Sequence, residues 1–210
     1  MIESIVIEDV DDTYDRLPFP YRAYRQLQNE EADLWDRFHS IGSCTAKIRP
    51  RNEWNSLGRE IYDVEDVERH AGIVSRILND LDLTTFLVQQ VVPARFWFHG
   101  NTQEMMGRAN DMVAYLRSRG VSLDFSHWRG VFIVREEMGD FLKCFLDYTF
   151  TLNTYDLELF SFQAPLSIVL DHHLCVQYTS PDPVLIGRIN SKILSEGILE
   201  YPDRCTNGHD

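Results

Sequence analysis

The chain predicts an α+β fold, with α/β as its close alternative. It reads as a single domain in which a mixed or antiparallel sheet is packed by about five helices, with a C-terminal β-hairpin followed by a helix. Three features carry that expectation. Between Leu157 and Tyr178 stand three short apolar runs of strand length. Elsewhere, apolar residues recur three and four apart, the spacing of helices with one buried stripe. Finally, 44% apolar and 12% aromatic content across 210 residues suffices for one well-filled core and excludes a disordered chain.

Taken in order, Ile2, Ile5, Val6 and Ile7 predict a short first strand. Glu8-Asp9-Val10-Asp11-Asp12-Thr13-Tyr14-Asp15 follows, dense in carboxylates with no cation before Arg16. Leu17-Pro18-Phe19-Pro20 breaks the chain and either exposes or anchors its aromatics. From Tyr21 to Ile41 the spacing predicts a helix, with Tyr24, Leu27, Leu34, Trp35, Phe38 and Ile41 on one face and Gly42 closing it. Ser43 to Gly58 is polar and irregular and predicts a loop. A second helix is expected over Val64 to Leu78, with Val64, Val67, Ala71, Val74, Ile77 and Leu78 as its stripe. Glu65, Asp66 and Glu68 load its first turn, where the backbone dipole favours negative charge.

Thr85 to Val92 predicts a strand ended by Pro93, and Arg95 to His99 another strand or its continuation. Asn101 or Thr102 caps a helix with Met105, Met106, Ala109, Met112, Val113 and Leu116 inward and Gly120 as its stop. Val131 to Val134 is a buried strand, and Glu136 to Phe150 a helix with Met138, Phe141, Leu142, Phe145 and Leu146 inside. The alternation from Thr84 to Phe150 suits crossover connections, whereas the C-terminal runs argue for antiparallel pairing.

Those runs are Leu157 to Phe162, Leu166 to Leu170, and Leu174 to Tyr178. In the third, Leu174, Val176 and Tyr178 alternate with Cys175, Gln177 and Thr179, the pattern of a strand with one buried face. Ser180-Pro181-Asp182-Pro183 then starts a helix, with Ser180 accepting from the first free N–H groups and Pro181 in the first turn. Leu185, Ile186, Ile189, Ile193 and Leu194 form its stripe, Arg188 and Lys192 its outer face, and Gly197 its end. Residues 1–200 are expected to form the globular unit, and 201–210 a polar tail.

Charge narrows the function classes. The formal net charge of −13 repels nucleic acid and anionic membranes, so neither is expected as a partner. Lys47, Lys143 and Lys192 are the only lysines, and no basic stripe exists. No run approaches the roughly 18 consecutive apolar residues of a membrane helix. The opening MIESIVIEDVDD is acidic where an export signal is basic, so a cytoplasmic protein is expected. Cys44, Cys144, Cys175 and Cys205 fit no zinc spacing and read as reduced thiols.

Motif chemistry is sparse. No glycine-rich phosphate loop, nucleophile elbow or dinucleotide fingerprint is present, and no cofactor is called for. Asp171-His172-His173 resembles the Asp-His-His element of a family of manganese-dependent phosphoesterases, in which carboxylates and imidazoles hold two metals that activate water. Asp9 and Asp11 supply an Asp-x-Asp pair by spacing, but nothing after them fits that family. Cys44, between Ser43 and Thr45, is the best thiol candidate. A hydrolase built on Asp171, His172 and His173, or on Cys44, is therefore the enzyme alternative. For the segment from Glu8 to Asp15 three readings compete: a solvated loop, a hard-cation site lacking the glycine and distal glutamate of a calcium loop, and a recognition loop for a basic partner.

In general character the chain resembles bacterial immunity proteins against secreted toxins, which are small, acidic, aromatic-rich and without motifs. That resemblance implies a non-catalytic inhibitor of a basic toxin domain, such as a nuclease, and transfers no functional residues. The physical case is separate: an acidic surface gains encounter rate and complementarity against a basic cleft. The expected contact residues are Asp9, Asp11, Asp12 and Asp15, with Glu65, Asp66 and Glu68 as the second choice. Tyr14 and Phe19 are expected as aromatic anchors beside the first group.

Overall fold

A computed structural model describes residues 3–6, 11–21, 44–48, 53–54, 60–61, 64–90, 111, 113–120, 129–152, 157–170 and 176–196. In chain order the elements are β1 (Glu3–Val6), α1 (Asp11–Tyr14), β2 (Cys44–Ile48), β3 (Glu53–Trp54), β4 (Glu60–Ile61) and α2 (Val64–Asp80). They continue with β5 (Thr85–Gln90), β6 (Arg129–Val134), α3 (Arg135–Leu152), β7 (Leu157–Ser161), β8 (Ser167–Leu170), β9 (Val176–Ser180) and α4 (Pro183–Ser195). Residues 113–118 are helical as well.

Seven strands form one sheet in the order β1-β6-β5-β7-β8-β9-β2, and β3 pairs with β4 apart from it. Every neighbouring pair in the large sheet is antiparallel. The helices and this sheet make the chain α+β. The strand–helix alternation around β5 and β6 therefore does not build parallel crossovers, since β5 and β6 run side by side in opposite directions.

Register assigns each side chain to a face. Phe86, Val88, Val131, Ile133, Leu157, Leu159, Ile168, Leu170, Val176 and Tyr178 line one face and join a single apolar cluster with the helices. From α2 that cluster takes Ala71, Ile73, Val74, Ile77 and Leu78; from α3, Met138, Phe141 and Leu142; from α4, Leu185, Ile186, Ile189 and Ile193. Leu87, Phe160 and Val169, one residue out of phase, face the other way and pack with Tyr14, Leu17, Phe19 and Tyr21. Successive strand residues point to opposite sides, so these clusters are the sheet's two faces.

The ends of the elements have local causes. Helix α2 stops in a Schellman motif: Leu83 N–H donates to the Leu78 carbonyl and Asp82 N–H to that of Asn79. Asp82 takes the left-handed position at φ 56°, which aspartate tolerates better than most residues. Gly120, the expected stop, has φ 80° after helical residues 113–118. Ion pairs then tie the helix layer together: Lys143 to Glu68 between α3 and α2, and Lys192 to Asp80 between α4 and α2.

Several expectations need correction. Within the segment expected to loop, Cys44–Ile48 forms β2, an edge strand paired with β9. Pairing with an existing strand supplies backbone hydrogen bonds that its polar sequence does not advertise. The cap of α4 is Asp182, whose side chain accepts from Val184 and Leu185 N–H, with Pro183 opening the helix. Ser180 is still in β9, and its hydroxyl accepts from Asp182 N–H at 3.0 Å. Two serial prolines allow either reading, and the later one wins because β9 holds its pairing through Ser180. Leu194, expected inside, is 58% exposed. Strand β9 is buried at all five positions rather than on one face. The expected helix over 21–41, strand over 95–99 and most of the helix from 102 lie outside the described residues, as do Gly197 and the tail.

Candidate functional site

The acidic N-terminal segment sits on the sheet's second face through its aromatic residues. Tyr14 stacks on Tyr21 at 3.9 Å with an interplanar angle of 8°. Tyr21 meets Phe160 edge-on at 4.9 Å, and Phe19 meets the same ring at 5.4 Å. The two prolines create this arrangement. Tyr21 N–H donates to the Phe19 carbonyl at 2.7 Å across Pro20, a three-residue turn that leaves Phe19 and Tyr21 both directed inward. Arg16, the first cation after the carboxylates, has its guanidinium 5.9 Å from the Phe162 ring centre.

Tyr14 and Phe19, expected as contact anchors for a partner, are therefore core residues at 4% and 1% exposure. They anchor the segment to its own sheet instead. Large aromatics gain more from full burial than from solvent, and Phe160, Leu87 and Val169 offer an apolar floor to receive them. Asp15 is exposed. Asp11 and Asp12 lie in α1 immediately before the buried pair Thr13 and Tyr14. Asp9 lies outside the described residues.

The second acidic group is on the other side of the molecule. Glu65, Asp66 and Glu68 begin α2, which packs on the opposite face of the sheet from Tyr14 and Tyr21. Glu68 is half exposed and paired with Lys143 at 2.5 Å, so part of its charge is already answered. Asp11, Asp12 and Asp15 are neighbours in sequence, whereas Glu68 belongs to a helix on the other face of the sheet.

Sequence reasoning missed a polar group on the second face. Glu158, in the middle of the sheet on β7, has 0% exposure. Ser167 Oγ on β8 donates to Glu158 Oε1 at 2.7 Å. Gln177 on β9 is buried two strands away in the cross-strand row Glu158–Val169–Gln177, and its Nε2 donates to Thr179 Oγ1 at 3.3 Å. Ser167 and Thr179 are themselves directly opposed. A signal for this group exists in the sequence. In LELFSF both parities are apolar, Leu157 and Leu159 on one and Phe160 and Phe162 on the other, which marks a strand covered on both sides. A glutamate inside such a strand must be buried, and a buried carboxylate needs donors.

The enzyme candidates are not assembled by the described residues. Asp171, His172 and His173 fall in the connection between β8 and β9, outside the described residues. Cys44 opens β2 at the edge of the sheet, opposite Ser180 of β9. His70 is buried within α2. Among the described residues no three His, Cys, Asp or Glu side chains group so as to hold a metal ion. No described helix is long and apolar enough to cross a membrane.

Comparison with protein-family models, with curated proteins and with solved structures finds no match to this chain.

Proposed function

We propose that this chain is an acidic, cytoplasmic, non-catalytic binding protein that covers a basic protein partner, as an immunity protein covers a toxin domain such as a nuclease. The observation that carries the reading is the mounting of the carboxylates. Asp11, Asp12 and Asp15 neighbour Tyr14 in sequence, and Tyr14 is buried, stacks on Tyr21 and belongs to the apolar cluster that includes Leu87, Phe160 and Val169 of the sheet. A charged segment held at one end by a packed core loses less conformational freedom on binding than a free loop does. The net charge of −13 adds long-range attraction for a cationic surface and repels nucleic acid that would compete for it. Asp9 belongs to the same segment by sequence. Glu65, Asp66 and Glu68 are the second choice, at the start of a helix that packs on the sheet's other face. Tyr14 and Phe19 serve this reading as the mount rather than as contacts.

The test is capture of partners from the source cell, with neighbouring gene products co-expressed, by the intact chain and by a D11N/D12N/D15N variant. The expected result is one basic protein held stoichiometrically by the intact chain, released as salt rises, and lost by a variant whose unfolding midpoint is unchanged. A basic partner held equally by the variant would move the site elsewhere. An empty capture by the intact chain would remove the inhibitor reading.

A further inference from the structure

We draw no further inference here: the strongest candidate, the buried polar row of Glu158, Ser167, Gln177 and Thr179 on the second face of the sheet, carries nothing because nothing in the structure shows what covers it or points to a ligand.

Discussion

The two faces of the sheet solve the same burial problem with different chemistry. On the helix side, residues of α2, α3 and α4 join the strands in a cluster of aliphatic, phenylalanine and methionine side chains together with Tyr178. On the other side, a cluster with stacked aromatic rings is interleaved with hydrogen-bonded polar side chains: Ser167 stands opposite Phe160, and Val169 stands between Glu158 and Gln177. Strand β7 shows both at once: Leu157 and Leu159 look into the helix layer, while Glu158 and Phe160 look away from it. An apolar face is stabilised by area and tolerates exchange of one hydrophobe for another. A polar face is stabilised only while each donor and acceptor keeps its counterpart, so it is stricter about sequence.

The sharpest way to break this comparison is to open a hole on each side. Phe86→Ala on the helix face and Phe160→Ala on the second face are each expected to cost about 3–5 kcal/mol. Denaturant unfolding at equal slope measures both. A cost for Phe160→Ala well below that of Phe86→Ala would mean that the aromatic group is held more loosely than its full burial implies.

Hydroxyl deletions probe the polar side. Ser167→Ala removes the described donor to Glu158 and is expected to destabilise by roughly 1.5–3 kcal/mol, since the acceptor is a fully buried carboxylate. Tyr178→Phe is the contrast on the helix face. The Tyr178 hydroxyl is buried and meets no hydrogen-bond partner among the described residues, and burial pushes its ionisation above the ordinary tyrosine range. Its removal is expected to leave stability within about 1 kcal/mol of the parent or to raise it. A large loss on Tyr178→Phe would show that the two faces treat polar atoms alike.

Smaller effects separate mount from surface. Tyr14→Leu removes the stack on Tyr21 together with part of the buried ring, an expected loss of roughly 1–3 kcal/mol. The D11N/D12N/D15N variant is expected to shift stability by no more than about 0.5 kcal/mol per site while weakening partner capture. A thermal melt of each decides whether fold and binding come apart in this way.

The smallest effect expected is in the helix layer's outer ion pairs. Arg76 donates to both Glu196 carboxylate oxygens, at 2.9 and 2.7 Å, and this hydrogen bonding lowers the Glu196 pKa against the opposing effect of burial. Because the folded value lies below the unfolded one, the contribution is present above the unfolded carboxylate pKa of about 4.3 and is lost as pH falls through the folded value. The pair is largely solvated, so Arg76→Gln is expected to cost only about 0.2–1 kcal/mol near neutral pH. Stability measured below the folded pKa should show no difference between variant and parent; a difference that persists there would assign the loss to packing of the arginine stem.

Legibility in the sequence followed the strength of the apolar period. Helix α2 and strands β5 to β8 stand close to where their stripes place them, because burial of one face overrides local detail. Strand β2 escaped notice since an edge strand takes half its hydrogen bonds from one neighbour and needs no apolar run of its own. The start of α4 moved by two residues because Pro181 and Pro183 are both compatible with a first turn, and the choice was made by the pairing of Ser180. The proposed site was half legible. Carboxylates can be counted from sequence, but whether Tyr14 faces a partner or its own sheet depends on Tyr21 and Phe160, the latter nearly 150 residues distant, and no local pattern reports a contact of that range.

The strand order also sets a schedule. The two outermost strands, β1 and β2, both come from the first quarter of the chain, whereas their partners β6 and β9 begin at Arg129 and Val176. On a ribosome adding about 5–20 residues per second, Cys44–Ile48 emerges on the order of ten seconds before the strand it pairs with exists. Until Arg129–Val134 is made the chain is expected to carry both future borders of its sheet without partners, and from then until Val176–Ser180 is made β2 alone still waits. Stalled nascent chains ending before Val176 should therefore be cut readily by protease within residues 44–48, and chains extended beyond α4 should not.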